Sequence, residues 1–138
     1  MGTAMSLSFD QYALGVDTMD DMHHEYLMLF ESLISSDDRD FIHIFDIYLD
    51  HVRRHFTNEN ILMEKSGFPA TDIHQGEHSN VLERLEELYA MANNNQIIMV
   101  RTWMERNMPV WFISHLRSMD NALANHLKTT GITSNEGL

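Results

Sequence analysis

The 138-residue chain contains no cysteine, two prolines and six glycines. Without cysteine there is no disulfide, iron–sulfur cluster, thiolate zinc site or cysteine nucleophile, a composition that fits a reducing compartment and a cytoplasmic location. Long apolar runs are also missing. Stretches such as Gln96–Val100 fall far short of the roughly 20 residues a membrane span needs, so membrane insertion is not expected. No basic start followed by an apolar segment marks a secretory signal, and Met1-Gly2-Thr3-Ala4-Met5 has the shape of an expression remnant before a second start codon. Positive charge is scarce: the net charge is -12 and the pI about 4.9. That balance disfavours nucleic acid and anionic lipid as partners, because both reward clustered Lys and Arg.

What the chain has in excess is histidine, nine residues against nine Lys plus Arg. Imidazole is the commonest protein metal ligand, so the positions of these nine matter. No segment alternates apolar and polar residues for long, and glycine and proline fall mostly near the ends of periodic segments, which predicts an all-helical fold. The first helix is expected to begin after Asp17 as N-cap and to run to about Ser35. Ser36-Asp37-Asp38 form the turn and cap a second helix that ends near Ser66-Gly67, where Gly67 can adopt the left-handed conformation and Pro69 prevents continuation. Thr71 is expected to cap a third helix ending near Met91, and Asn93-Asn94-Asn95 form the next turn. A fourth helix then spans about Gln96 to Lys128, with a kink or break at Pro109. At 138 residues the chain is expected to be one domain. It is read as an all-α, antiparallel up-and-down four-helix bundle, with a non-helical arm over 1–17 and a polar tail over 129–138.

The inward stripes carry the chemistry. On the second helix, Phe41, Phe45, Tyr48 and Val52 are followed by His55, Glu59 and Leu62 at alternating steps of four and three. The third places His74, His78, Val81, Leu85 and Leu88 in the same way, and the first places Met19, His23, Tyr26, Phe30 and Leu33. On the fourth, Met104, Met108, Trp111 and His115 share a face, with Asp120 one step off it. A single histidine on an apolar face is ordinarily a satisfied core residue. Polar groups on the inner stripes of all four helices are different, since each would cost about 1–3 kcal/mol if buried without a partner. A positively charged group among them resolves that cost. His55/Glu59 and His74/His78 have the i, i+4 spacing that puts two side chains one turn apart on one face. His115 and Asp120 are five apart, about 140° around an ideal helix, so the carboxylate must reach sideways or the helix must bulge.

Imidazoles mixed with carboxylates suit iron, manganese or zinc. If two octahedral ions share both carboxylates and one solvent-derived oxygen, five imidazoles divide three and two, leaving one open position for a diatomic ligand. Among the remaining residues, His24, His43, His51 and His126 fall off the stripes and are read as solvated or surface groups. The methionines are read as adaptable core filler, and the acidic run Glu83–Glu87 as a solvated face.

The run Gly15-Val16-Asp17-Thr18-Met19-Asp20-Asp21-Met22-His23, the His55-Phe56-x-x-Glu59 and His74-x-x-x-His78 blocks, and Trp111-x-x-x-His115-x-x-x-x-Asp120 together resemble the bacterial hemerythrins, in order and over nearly the whole chain. The resemblance implies two non-haem iron ions with an oxo or hydroxo bridge: His74, His78 and His115 on the six-coordinate iron, His23 and His55 on the open one, and Glu59 and Asp120 bridging. It implies dioxygen held as hydroperoxide at the open position, with azide or similar small anions binding the diferric state. Phe56, Trp111 and Phe112 are expected to line that pocket. This sequence departs from the family pattern at Met22, where Gln is usual, near Phe9, where Trp is frequent, and at Phe112, where an aliphatic residue is common. A non-enzymatic oxygen- or redox-sensing domain is the expected use, with the polar tail as a linker to a C-terminal signalling output domain. A free-standing oxygen carrier is the alternative. A ferroxidase ranks lower because the Glu-x-x-His pairs of ferritin-like sites are missing, and a structural zinc bundle ranks third.

Overall fold

The computed structural model describes residues 9–133. The expected remnant at Met1–Met5 and the last five residues of the polar tail lie outside that range. Helices α1 (Asp17–Ser35), α2 (Asp38–Ser66), α3 (Thr71–Asn93), α4 (Ile97–His115) and α5 (Asn121–Thr130) follow one another, with no strand among the described residues. A π-helical turn, Leu116–Asp120, joins α4 to α5. These last two helices form one rod, so the molecule is the expected antiparallel four-helix bundle. The arm is not wholly irregular, because Phe9–Tyr12 forms one 3-10 turn.

Local chemistry fixes the ends. Gly15 takes φ +85, and a Cβ there would come within 2.9 Å of the Lys128 ammonium nitrogen. Asp20 accepts the N–H groups of Leu14 at 2.8 Å and Gly15 at 3.1 Å, which sets the entry to α1. The N-cap position belongs to buried Val16 rather than Asp17. Asp17 instead sits in the first turn, where its charge opposes the positive helix end. Asp37 caps α2 as expected, accepting the Asp40 N–H at 3.0 Å. Gly67 closes that helix at φ 67, and the Phe68 N–H reaches back to the Met63 carbonyl at 3.0 Å.

Thr71 does not cap α3. It is the first helical residue, and its hydroxyl donates to the Phe68 carbonyl at 2.6 Å, closing the preceding turn. Asn95 takes φ 66 in the next turn, a conformation asparagine tolerates better than most residues. Pro109 does not break the fourth rod, for α4 continues through it to His115. Pro109 is itself buried on the inner face of α4, where it removes one bond from the helical ladder.

The core has two apolar regions. The larger gathers Phe30, Leu33, Phe41, Phe45, Tyr48, Leu85 and Met104, and the smaller Val16, Met19, Leu62, Met63, Phe68, Leu123 and Leu127. Along each rod, the histidine and carboxylate positions of the inner stripe fall between these two regions.

Candidate metal centre

His23 from α1, His55 and Glu59 from α2, His74 and His78 from α3, His115 at the end of α4 and Asp120 at the end of the π turn meet in one layer. Each is between 1 % and 5 % exposed. The π turn is what brings Asp120 in. Its backbone bonds span five residues, as in the Asn121 N–H to Leu116 carbonyl bond, so a residue five positions on returns beneath its predecessor. His115 Nε2 accordingly lies 3.1 Å from Asp120 Oδ1. Of the two ways to join these residues, the bulge is the one adopted.

The two carboxylates divide the layer. Asp120 Oδ1 lies 3.1 Å from His74 Nε2 as well as from His115 Nε2, and Glu59 Oε1 lies 3.2 Å from His78 Nε2 and 3.4 Å from His74 Nε2. The other oxygens face the opposite way: Glu59 Oε2 is 2.9 Å from His55 Nε2, and Asp120 Oδ2 is 3.0 Å from His23 Nε2. One side thus holds three imidazoles and the other two, with both carboxylates spanning the boundary. Two groups with metal-ligand spacing result, Glu59/His74/His78/His115/Asp120 and His23/His55/Glu59, the ligand atoms of each lying within 4.8 Å of one another.

The three-histidine side tests whether a cation fits. Its close contacts lack hydrogen-bond directionality, and His74 Nε2, His78 Nε2, His115 Nε2, Glu59 Oε1 and Asp120 Oδ1 have no hydrogen-bond partner. Five such groups at about 1–3 kcal/mol each would match the whole stability of an ordinary domain. A metal ion satisfies all five at once. The neighbouring residues prepare the rings for that: His78 Nδ1–H donates to Asn60 Oδ1 at 3.0 Å, and His115 Nδ1–H donates to the Glu77 carboxylate. Both bonds leave Nε2 free to ligate. Asn60 and Glu77, each next in sequence to a ligand-type residue, were not singled out from the sequence. The available signal was a polar residue flanking Glu59 on one helix and His78 on the other.

Charge in the layer follows from the same geometry. Burial alone would hold His23 neutral, but its bond to Asp120 and the nearness of Glu59 outweigh it and raise the pKa to about 10. His74 is raised to about 9 against the same burial effect, by the same two carboxylates. His115 is also raised, with Asp120, Glu59 and Glu77 overcoming burial. For His78, burial prevails over Glu59, and the pKa is lowered. Glu59 and Asp120 are held below the ordinary carboxylate range, because the surrounding imidazoles outweigh both desolvation and, for Asp120, the repulsion of Glu59.

Aromatic rings enclose the layer. Phe56 stacks on His78 with centroids 3.9 Å apart, and Trp111 stacks on His115 at 4.6 Å. Phe112 presents its edge to His23 at 5.8 Å and stacks on Tyr26 at 4.7 Å. All three, with His55, Met108 and Tyr26, line a narrow cavity of about 10 Å³, room for a single water-sized ligand.

The other histidines do not all stay outside. His24 and His43 are exposed. His51, expected at the surface, is 0 % exposed. It donates from Nε2 to the Met22 carbonyl at 3.2 Å, and its ring lies 5.8 Å from that of His55. Desolvation, together with nearby His55, lowers its pKa to about 4 and keeps it neutral. His126 is half-buried, donating to the Ser66 carbonyl at 2.9 Å outside the ligand layer.

The sequence pattern of the Hemerythrin HHE cation binding domain matches residues 14–128, a span that contains every residue of the layer. The chain belongs to the hemerythrin family. A Bacteriohemerythrin of Ralstonia nicotianae (strain ATCC BAA-1114 / GMI1000) is 29 % identical over 118 residues, covering 86 % of this chain and 85 % of that protein. A Bacteriohemerythrin of Aquifex aeolicus (strain VF5) is 30 % identical over 115 residues, covering 79 % and 87 %. One of Stenotrophomonas maltophilia (strain R551-3) is 27 % identical over 125 residues, covering 86 % and 79 %. No solved structure matches the chain. Membership of the hemerythrin family implies non-haem iron, and the buried imidazole and carboxylate donors suit it. No helix among the described residues of this hemerythrin domain is long and apolar enough to cross a membrane.

Proposed function

We propose that the chain is a di-iron protein that binds dioxygen reversibly, as one domain over 1–138. His74, His78 and His115 would hold one iron and His23 and His55 the other, with Glu59 and Asp120 shared. The observation that carries this is the division of the layer, in which each carboxylate offers one oxygen to three imidazoles and the other to two. Bound iron supplies electrons for dioxygen and a position to hold it. The protein's own residues do the rest. Phe112, beside His23, and Tyr26 close a narrow cavity with room for one water-sized ligand. Phe56 and Trp111, stacked on His78 and His115, hold those rings in place and exclude water. No step in binding requires a general acid or base from the chain.

A sensing use is favoured over storage by one feature. A cleft of about 200 Å³ between α1 and α2 reaches His55 and Glu59 from the surface. Water beside a bound oxygen ligand shortens its life, which suits a signal better than a store. The polar tail over 129–138 would then serve as a linker to an output domain, and the domain itself would not be an enzyme. Anaerobic reduction, exposure to oxygen and degassing, followed by visible absorbance with the iron content measured, tests both parts. About two irons per chain with rapid conversion to a stable oxidised spectrum supports sensing. A band that appears and reverses supports carriage, and absence of iron overturns the proposal.

A further inference from the structure

The two sides of the layer differ in how they meet solvent. The cleft between α1 and α2 is lined by Thr18, Met19, Asp21, Met22, Asn58 and Leu62, with His55 and Glu59 also on its wall. A second cleft, about 170 Å³, is lined by Tyr12, Asp20, Asp21 and His24 and reaches His23. Both therefore open on the two-histidine side, both are lined by exposed Asp21, and neither is lined by Lys or Arg. On the three-histidine side, a cleft of about 440 Å³ runs beside Glu77, the partner of His115, but it carries the cation Arg106 and none of the seven residues of the layer lines it. The cleft that touches His74 is walled by Phe68, Ala70, Ile73, Met119 and Ala122, with Ser118 its one other polar residue. The cavity that His115 shares with His55 measures only about 10 Å³. A charged ion sheds water at great cost in apolar surroundings, so neither of those admits a hydrated cation.

We propose that the paired clefts flanking Asp21 are the entrance for divalent cations, with Asp21 as the first protein group to attract the ion. This rests on the metal-binding reading above. Beyond Asp21 the ion meets Glu59, a 2 % exposed carboxylate whose Oε1 has no hydrogen-bond partner on the three-histidine side. Glu59 thus hands a cation from the open side to the closed one. The order follows: the three-histidine position fills through the two-histidine position, and on extraction the two-histidine ion leaves first. The geometry makes Asp21 a steering residue and leaves the ligand set unaltered when it is replaced.

Stopped-flow uptake of cobalt(II), followed by its visible absorbance as it enters the metal-free full-length protein, measures entry directly. Asp21→Lys should slow uptake at low salt by about three- to tenfold, at or below the lower end of whole-surface steering effects because one charge is changed, and Asp21→Asn by less. Glu105→Lys, an equal charge change on α4 at an exposed site outside both clefts, should stay near the wild-type rate. The difference between Asp21→Lys and Glu105→Lys should vanish at about 1 M salt, where screening is nearly complete. Final cobalt per chain should be equal in all variants, and a chelator should remove about half of it in a fast first phase. Equal slowing in Asp21→Lys and Glu105→Lys, or wild-type rates in both, overturns the entrance while leaving the metal site intact. Failure of the wild-type protein to take up cobalt overturns the metal site, and the entrance with it.

Discussion

The larger apolar region and the imidazole layer beside it are built on the same four rods, with the same spacing of inward positions, yet they are held by different forces. Around Phe45, the rings of Phe41, Tyr48 and Tyr89 pack edge-on at 5.7 to 5.8 Å, and the side chains of Phe41 and Phe45 are fully buried. Nothing there needs a partner from outside the chain. Further along, seven titratable groups are buried almost as deeply, and seven of their atoms find no hydrogen bond. The first region is complete as protein; the second is complete only with a cation. Stability and metal affinity should therefore be separable by mutation.

The largest effect expected is on the apolar side. Phe45→Ala should lower unfolding stability by about 3–5 kcal/mol, equally in metal-free and metal-loaded protein, as read from urea denaturation. A loss confined to the loaded form would show that the two regions are not independent. Next, loading with metal at about a hundred times its dissociation constant should add about 2.7 kcal/mol. His115→Ala should abolish that gain and lower metal content, whereas His126→Ala should keep both. Equal metal occupancy in the two variants would remove His115 from the ligand set.

Acid should weaken metal binding steeply. His23 and His74, raised to about 10 and about 9, are protonated at neutral pH in the metal-free protein and must lose those protons to ligate. The apparent affinity of each position should rise at least about tenfold per pH unit between pH 7 and 8, as measured by chelator competition, and a flat profile would contradict it. For the metal-free protein alone, the sign differs by group. The raised histidines stabilise it fully below their ordinary value of 6.5, and this is lost as pH rises through about 9 to 10. The depressed carboxylates stabilise it above their ordinary values of 3.8 and 4.5, and this is lost in acid. Its optimum from these groups therefore lies between about pH 4.5 and 6.5. The smallest expected effect is that of His126→Ala on stability, about 0.5–1.5 kcal/mol for one hydrogen bond, measurable as a shift in urea midpoint.

Most of this contrast is legible in the sequence because bundle helices bury a regular stripe. His23, His55, Glu59, His74 and His78 stand on stripes of alternating four- and three-residue steps, and the misfit of Asp120 signals either a bulge or a sideways reach. His51 escapes that reading for a physical reason. A stripe of two positions per heptad is narrower than the face a helix buries, and His51 occupies the flanking position beside Val52, inside the core. Thr71 misleads in a different way: a threonine at a helix start can cap it or close the turn before it, and the Phe68 carbonyl decides the matter. The partners Asn60 and Glu77 depend on which neighbouring helix lies opposite, information that no single helix carries.

The π turn has a consequence for everything beyond it. Extending the α4 stripe of Met104, Met108, Trp111 and His115 in α-helical steps would turn Met119, Ala122 and His126 inward. The buried residues are instead Asp120, Leu123, Ala124 and Leu127. The one-residue bulge works as a phase shifter, resetting the reading frame of the last helix. Imposing α-helical bonding on the turn at its full length would rotate α5 by about 100°, withdrawing the carboxylate and pointing Leu123 and Leu127 away from the core. Deleting one residue between His115 and Asp120 would instead leave Asp120, Leu123 and Leu127 on the inward face, four, seven and eleven positions after His115. At the length this chain has, the irregularity and the inward place of the Asp120 carboxylate are kept or lost together.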